Sequence, residues 1–193
     1  MKSIFLHFAL FFSIISTSCT NHESVCVNGT SEHQPDGTPI ELYYLQNDSV
    51  ITVANDTLVH GGFNFTIDAN PDMAYYISVN NPHNPSRGMF FAERGTVNIA
   101  FDSTYHVSGT PMNDLYNTYL TETRRIEKLG EMEYHRSIEG KDNPDTSVFD
   151  SLLQVFTDYK VQFQLDNIHN IVGKTTFINE IGSVYDPNFL ESY

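Results

Sequence analysis

The two cysteines are the residues of this sequence with the most specific chemistry. Cys19 closes an apolar N-terminal stretch, and Cys26 follows it seven residues later. A cysteine can form a disulfide, react as a thiolate or carry a covalent modification. The sequence contains no C-x-x-C motif, which is the arrangement used in dithiol redox exchange. The chain as given is therefore not predicted to carry out dithiol chemistry by itself.

The stretch that ends at Cys19, MKSIFLHFALFFSIISTSC, predicts export from the cytoplasm. Lys2 precedes an apolar run from Ile4 to Ile15, and small residues lead from there to the cysteine. The run is too short to cross a hydrocarbon core of about 30 Å, so residues 1–18 are predicted to be a signal peptide. The small residues before the cysteine also resemble a bacterial lipoprotein box. This resemblance predicts a lipid on Cys19, followed by a short tether over residues 19–23.

The state of Cys19 determines what Cys26 can do. If Cys19 is acylated, Cys26 has no partner within the chain and is expected to pack as a small apolar residue beside Val25 and Val27. A disulfide between Cys19 and Cys26 is the alternative in a protein that lacks the lipid, because an exported protein meets oxidising conditions. Lipidation places the protein in the cell envelope, anchored in a periplasmic or outer-membrane leaflet, whereas a protein without the lipid is expected to be secreted.

The other candidate motifs do not predict a cofactor, a metal site or a catalytic residue. The stretch Gly173 to Thr176 (GKTT) resembles the end of a phosphate-binding loop, but Ile168 stands where that motif requires glycine. The acidic turn at residues 142–145 lacks the glycine and the glutamate of a calcium-binding loop. The eight histidines lie far apart, without the spacing of zinc ligands. We therefore expect a chain that is not an enzyme and that needs neither metal nor cofactor.

The charge of the chain limits its partners. The sequence has 24 acidic and 10 basic residues, which gives a formal net charge of -14. Such a chain repels phosphate backbones, so nucleic acid is not an expected partner. It also lacks the basic surface that would hold it to anionic lipid, so contact with a membrane depends on the lipid on Cys19. The 14 Phe and 11 Tyr residues supply material for a core, and an exposed aromatic patch for a glycan or peptide is the less favoured use of them.

Between residues 24 and 109 the hydrophobic period is two, which predicts short strands. These strands are expected at 24–29, 39–45, 50–54, 58–67, 75–79, 89–93, 96–101 and 105–108. The second and third strands, and likewise the sixth and seventh, are expected to pair as hairpins. Strands of this number and spacing predict an antiparallel β-sandwich or open barrel.

At Thr110 the period changes to three and four residues, which predicts helices. Thr110 is suited to cap a helix that continues through Pro111 to about Ile138. Asp145 or Thr146 is suited to cap a second helix, which we expect to form a helical hairpin with the first. The second helix presents an apolar stripe made of Phe149, Leu152, Leu153, Phe156, Tyr159 and Phe163. A third helix is expected at 172–183 and a further helix start at 186–187, so the fold class is mainly β with a C-terminal helical appendage over residues 110–193.

The first predicted helix carries a large share of the basic residues. Four of them, Arg124, Arg125, Lys128 and Arg136, lie within it, and Lys141 follows. A solvated helix face is the favoured interpretation. A docking stripe for an acidic partner is the alternative.

Several segments, in this order along the chain, resemble one family of bacterial lipoprotein domains. They are Asn28-Gly29-Thr30 at the end of the first strand, DTLVHGGFNFTI at 56–67, ISV at 77–79, FFAERGTVNIAFD at 90–102 and VSGTPMNDLYNTY at 107–119. The family is the Bacteroidetes domain of unknown function that lies N-terminal to thioredoxin-like (AhpC/TSA) domains in thiol-disulfide interchange lipoproteins. The resemblance covers roughly residues 24–193. Its motifs are structural, so it implies a fold and carries over no catalytic residue.

Two functions remain as expectations. The first is a lipid-anchored protein of the cell envelope that acts as a non-catalytic binding or interaction module, with a protein or small-ligand partner that the sequence does not identify. The alternative, implied by the resemblance, is the N-terminal part of a truncated envelope thiol-disulfide oxidoreductase. Under that alternative, a thioredoxin-like domain with a C-x-x-C motif would follow the helix start at residues 186–187.

Overall fold

Eight strands precede three helices in the structure, a computed structural model that describes residues 23–47, 49–139 and 145–184. The strands are β1 (Ser24–Thr30), β2 (Pro39–Gln46), β3 (Ser49–Thr57), β4 (Gly62–Asp68), β5 (Asn70–Val79), β6 (Ser86–Ala92), β7 (Gly95–Phe101) and β8 (Tyr105–Ser108). The helices are α1 (Pro111–Ile138), α2 (Ser147–Asp166) and α3 (Ile171–Val184). The predicted fold class, strands first and helices after them, is confirmed. The helix start expected at residues 186–187 lies outside the described residues.

The strands form two sheets that pack face to face. Sheet A has the strand order β4-β1-β7-β8, and sheet B has the order β3-β2-β5-β6. No closed barrel forms among the described residues, so of the two predicted arrangements the sandwich is the one observed. All neighbouring strands are antiparallel except β1 and β7, which are parallel. The parallel pair was not predicted, because periodicity does not identify a strand's neighbour.

The core between the sheets follows the predicted alternation. Inward-facing residues of sheet A are buried, including Phe63, Phe65 and Ile67 in β4 and Val97, Ile99 and Phe101 in β7. Sheet B contributes Ile40, Leu42, Tyr75, Ile77, Val79, Phe90 and Ala92. Apolar residues at every second position give each strand one apolar face. Two such faces can be removed from water together only when the sheets stack.

The predicted hairpin over 89–93 and 96–101 is wrong. β6 pairs with β5 in sheet B, whereas β7 pairs with β1 and β8 in sheet A. The link at Arg94 therefore crosses from one sheet to the other, and Gly95 adopts a φ of 122° there. Both strands carry apolar residues on one face. That pattern fits the predicted hairpin, in which the strands are neighbours in one sheet, and it fits equally well the observed arrangement, in which they lie in different sheets on opposite sides of the core.

Two strands start four or more residues away from the predicted start. The strand expected at 58–67 starts at Gly62, because the chain turns at His60 and Gly61, which have φ values of 51° and 73°. Leu58 lies before this turn and is fully buried between the sheets. The strand expected from Tyr75 begins at Asn70, with a register shift against β6 between Asn70 and Ala74. A bulge of this kind lets a strand continue past residues that do not pair regularly.

The helices form a third layer on the outer face of sheet B. A second core lies there, made of Met89, Phe91, Tyr119, Phe163 and Val172. Rings of α1 and α2 contact in opposite chain order, Tyr119 with Tyr159 and Tyr134 with Phe149, so the predicted helical hairpin is confirmed as antiparallel. Part of the predicted α2 stripe stays exposed, notably Leu153. No helix in the described ranges is both long and apolar enough to span a membrane.

Asn113 joins the helical layer to the edge of sheet B. The Phe91 backbone N–H donates to Asn113 Oδ1 at 2.9 Å, and Asn113 Nδ2 donates to the Phe91 carbonyl at 2.8 Å. The same Nδ2 donates to Thr110 Oγ1 at 2.7 Å, so the predicted N-cap residue supports Asn113 and makes no side-chain bond to the helix backbone. β6 is an edge strand, and the amide of Asn113 therefore satisfies groups that a further strand would otherwise pair.

Candidate functional site

The predicted modification site, Cys19, lies outside the described residues, so its lipidation stays a prediction. Cys26 is buried in β1 and is disulfide-bonded. Cys26 is the one cysteine among the described residues. The sequence contains one other cysteine, Cys19.

A cleft of about 720 Å³ lies on the outer face of sheet B. The strand register places its floor in cross-strand rows. One row runs from Glu41 through Ser78 to Arg87, and the next runs from Tyr43 through Tyr76 to Met89. The rings of Tyr43 and Tyr76 stack with centroids 5.5 Å apart and planes 19° apart. Both tyrosines line the cleft.

The wall of the cleft is formed by α1 together with Tyr105. Residues Tyr116, Leu120 and Arg124 of α1 line it. The ring of Tyr105 packs directly against Gly88. A side chain at position 88 would collide with it, since its Cβ would stand 2.0 Å from Tyr105 Cε2. Only glycine allows this close approach, which the Tyr105 hydroxyl completes by donating to the Met89 carbonyl at 2.7 Å.

Arg124 reaches from α1 to the start of β8. Its Nη1 donates to the Tyr105 carbonyl at 2.7 Å, which fixes the guanidinium beside the wall of the cleft. A guanidinium has five N–H donors, so this bond leaves Arg124 with donors for other groups. Arg87 is exposed and borders both this cleft and a polar pocket of about 320 Å³ that contains Asp102.

A polar cluster joins the three helices behind the cleft. The Tyr119 hydroxyl donates to Glu180 Oε1, and Lys160 Nζ lies 2.7 Å from Glu180 Oε2. Lys160 also stands 4.4 Å from the centroid of the Phe156 ring, within the range of a cation–π contact. These contacts connect α1, α2 and α3. They thereby position Asn179, the neighbour of Glu180, at the border of the cleft.

Burial raises the pKa values of three tyrosines of the cleft, Tyr76, Tyr105 and Tyr116. Burial raises the pKa of Tyr116 to about 12, against a smaller opposing effect of Arg124. Burial also raises the pKa of Tyr76, whose hydrogen bond with Asn179 acts in the opposite direction. The pKa of Tyr105 is well above its ordinary value because the hydroxyl is removed from water. These groups therefore act in the cleft as O–H donors or acceptors, not as bases.

Other features singled out from the sequence lie away from the cleft. Gly173 to Thr176 forms the first turns of α3, and Thr176 Oγ1 donates to the Val172 carbonyl at 2.9 Å. Within the described ranges, no three His, Cys, Asp or Glu side chains converge as metal ligands would. Two basic residues of α1 pair on the helix itself, Arg125 with Glu122 at 2.6 Å and Arg136 with Glu133 at 2.8 Å. Of the basic residues predicted on this helix, only Arg124 lines the cleft.

Comparison with known proteins adds one observation. Residues 25–116 match the family model for a domain of unknown function, DUF4369. The matched span is slightly less than half of the 193 residues. It contains all eight strands except the first residue of β1, together with the start of α1. No curated protein and no solved structure matches the chain.

The DUF4369 match supports the coarser part of the predicted resemblance, a domain of unknown function. It does not extend to the bacterial lineage or to a neighbouring thioredoxin-like domain. The DUF4369 region supplies the floor of the cleft, whereas Leu120, Arg124 and Asn179 come from beyond residue 116. The cleft is therefore a joint product of the matched and the unmatched parts of the chain.

Sequence reasoning missed most of the residues of the cleft. Tyr43 and Tyr76 lie in predicted strands, and their alternation with apolar residues placed them on the outer face. Nothing in the pattern indicated that they would be neighbours in the sheet. Arg87 precedes the strand expected at 89–93, although it belongs to β6. The sequence offered one weak indication of the cleft, which is the presence of bulky tyrosines on the polar face of a strand.

Proposed function

We propose that this protein is a lipid-anchored binding module of the cell envelope that catalyses no reaction, and that the cleft between sheet B and α1 holds its ligand. The observation that carries this proposal is the cleft itself. Its volume of about 720 Å³ lies within the usual range for small-ligand sites. Its lining combines apolar residues with tyrosine hydroxyls and two guanidiniums, groups that give a ligand both contact area and orientation.

The composition of the cleft supports binding without catalysis. Among the described lining residues there is no histidine or cysteine, and Glu41 is the one carboxylate. Its Oε1 accepts a hydrogen bond from Thr52 Oγ1 at 2.6 Å. Nucleophilic catalysis requires a nucleophile within hydrogen-bond reach of a base, and general acid–base catalysis generally requires a group whose pKa lies near the working pH. Tyr76, Tyr105 and Tyr116, whose pKa values are raised by burial, do not meet the second requirement.

The anchor is supported by the sequence alone, and it requires that the Cys19 sulfur not be bonded to Cys26 in a disulfide. A short apolar run, a single preceding basic residue and small residues before Cys19 form the pattern expected of a lipoprotein signal. Two envelope roles follow from the same anchor. The module either works alone, or it is the N-terminal part of an oxidoreductase with a thioredoxin-like domain, as the resemblance implies.

Metabolic labelling with a radioactive or alkyne-bearing fatty acid tests the anchor. The full chain produced in a lipoprotein-processing bacterium should take up the label and fractionate with membranes, and Cys19→Ser should abolish both. Cys26→Ser is the matched control, since it removes the other cysteine and should keep the label. A sulfur joined to lipid through a thioether cannot form a disulfide, so the experiment also decides between the two states of Cys19.

An unlabelled wild-type chain, or a label that survives Cys19→Ser, would rule out lipidation at this residue. The mass of the labelled protein from its native membrane separates the two envelope roles. A mass equal to residues 19–193 plus lipid supports the module acting alone. A mass larger by a thioredoxin-sized domain supports the oxidoreductase.

Fragment screening by two-dimensional NMR tests the cleft. A library of neutral and charged fragments, added to the processed chain with Cys19→Ser to avoid detergent, should shift resonances that cluster around the cleft, for example those of Ser78, Gly88 and Asn179. Filling the cleft with Ser78→Phe should suppress these shifts, because the added ring would occupy the floor. Thr66→Phe on the outer face of sheet A is the matched control and should leave them unchanged. Shifts scattered over the surface, or equal in the Ser78→Phe protein, would contradict a binding function for the cleft.

A further inference from the structure

We propose that the cleft binds a carboxylate, held by Arg87 and Arg124, and that the apolar portion of the same ligand lies toward Leu45 and Val50. The inference rests on the proposed function and names the chemistry of the ligand. The carboxylate has two possible sources, a free organic acid or the C-terminus of a peptide. Both offer the same charged group next to an apolar body.

The first argument is the arrangement of the two arginines around Tyr105. Arg124 donates to the carbonyl of Tyr105, and the ring of Tyr105 lies against Gly88, the residue next to Arg87. Both guanidiniums line the same cleft. One is held by the main chain of β8 and the other extends from β6, so they approach the cleft from its wall and its floor. Arginine binds carboxylates through paired N–H donors in a planar fork.

The second argument is charge. The chain has 24 acidic residues for 10 basic ones, and its other described ion pairs use Arg125, Arg136 and Lys160, with His60 beside Asp36. Among the described residues, neither Arg87 nor Arg124 forms an ion pair. The described lining of the cleft also contains one carboxylate, Glu41, whose Oε1 accepts from Thr52 Oγ1. Two guanidiniums against one carboxylate leave the described lining with a net positive charge, and a cleft with low-dielectric walls concentrates its field.

The third argument is the gradient of polarity along the cleft. Leu45 and Val50 are partners in the β2–β3 hairpin and are 51% and 58% exposed. Both line the cleft at the end away from β6. An apolar group at that end and a charged group at the other suit an amphiphilic ligand.

The same observations favour a carboxylate over a phosphate. Both anions accept paired hydrogen bonds from arginine. A phosphate monoester carries more negative charge than a carboxylate at neutral pH, and the net charge of -14 opposes the second charge more strongly. Tyr76 and Asn179, which are hydrogen-bonded to each other, add neutral polar groups to the same cleft.

Titration with matched probes tests the inference. 4-Phenylbutyrate and its neutral amide form one pair, and acetyl-leucyl-phenylalanine and its C-terminal amide form the other. Each is added to the processed Cys19→Ser chain and followed by NMR and calorimetry. Each acid should bind at least about tenfold more tightly than its amide, since charge-assisted hydrogen bonds are roughly twice as strong as neutral ones. Phosphate monoesters of similar size should bind more weakly than the acids.

Two variants give the controls. Arg87→Gln, which removes an exposed side chain without a described ion pair, should weaken binding of the acids by about tenfold. Arg94→Gln makes the same change at an exposed arginine outside the cleft, and it should alter binding by less than about twofold. Arg124→Lys keeps the charge but loses the planar fork, and it should weaken the acids while the thermal midpoint stays close to that of the wild type.

The outcomes separate the two proposals. Preference for one acid identifies the source of the carboxylate, a free acid or a peptide end, and supports the inference. Acids and amides that bind the cleft equally, with no effect of Arg87→Gln, would overturn the carboxylate site and leave the binding function in place. If no probe shifts the cleft but other fragments do, the carboxylate site is likewise overturned. If no fragment of any kind shifts it, both proposals fail.

Discussion

Replacing Phe90 or Phe91 with alanine should lower the free energy of unfolding by about 3–5 kcal/mol each, the usual cost of removing a buried aromatic side chain. Both side chains are fully buried, but in different cores. Phe90 fills the space between the two sheets, whereas Phe91 lies between sheet B and the helices. Adjacent residues of β6 point to opposite faces of the sheet, so this strand contributes to both cores.

We expect the two variants to shift one common transition. Chemical denaturation followed by far-ultraviolet circular dichroism and by tyrosine fluorescence measures it, because the protein has no tryptophan. Phe177→Ala, at a side chain of α3 that is 42% exposed, is the control and should cost much less. If Phe91→Ala produced a separate early loss of helical signal while Phe90→Ala did not, the helices would be an independent unit, as the boundary predicted at residue 110 would allow.

Asn113→Ala should destabilise the protein by about 3 kcal/mol, because each buried polar group left without its partner costs about 1–3 kcal/mol. Asn113 is fully buried, and its amide satisfies both the N–H and the carbonyl of Phe91. Alanine removes the donor and the acceptor at once, so both main-chain groups lose their partners. Denaturant unfolding at equilibrium measures the loss.

Asn113→Asp refines the test and Asn64→Ala controls it. The aspartate keeps the acceptor for the Phe91 N–H but places a charged oxygen opposite the Phe91 carbonyl, so it should not restore stability. Asn64 is exposed in β4, and its replacement should change stability by less than about 0.5 kcal/mol. A loss at Asn113 no larger than the loss at Asn64 would show that water replaces the amide and that the link between α1 and sheet B is not needed.

The residues of the strands and helices explain which predictions succeeded. Phe63, Phe65 and Ile67 recur at every second position, and only a strand places such residues on one face. After Thr110 the apolar residues recur at three and four positions, and only a helix aligns those. These patterns are local, so the sequence was sufficient to place the eight strands and the three helices to within a few residues for most of them.

The pairing of strands was not local, and there the predictions failed. Val97 and Ile99 would occupy the apolar face of β7 equally well in a hairpin with β6 or opposite it across the core. The choice depends on β1, which pairs with β7 although some 65 residues separate them in the chain. Parallel pairing requires such a long connection, and periodicity within either strand contains no information about it.

The functional features likewise separate into those that can be read from the sequence and those that depend on the tertiary structure. The sequence by itself determined the acidic composition and the absence of a C-x-x-C motif, and it is the source of the predictions of export and of a lipid on Cys19, because each depends on neighbouring residues or on composition. Only the tertiary structure decided the cleft, since Tyr43, Tyr76, Arg87 and Arg124 come from three strands and a helix. They meet because the outer face of sheet B retains apolar residues that α1 must cover, and α1 covers that face only in part.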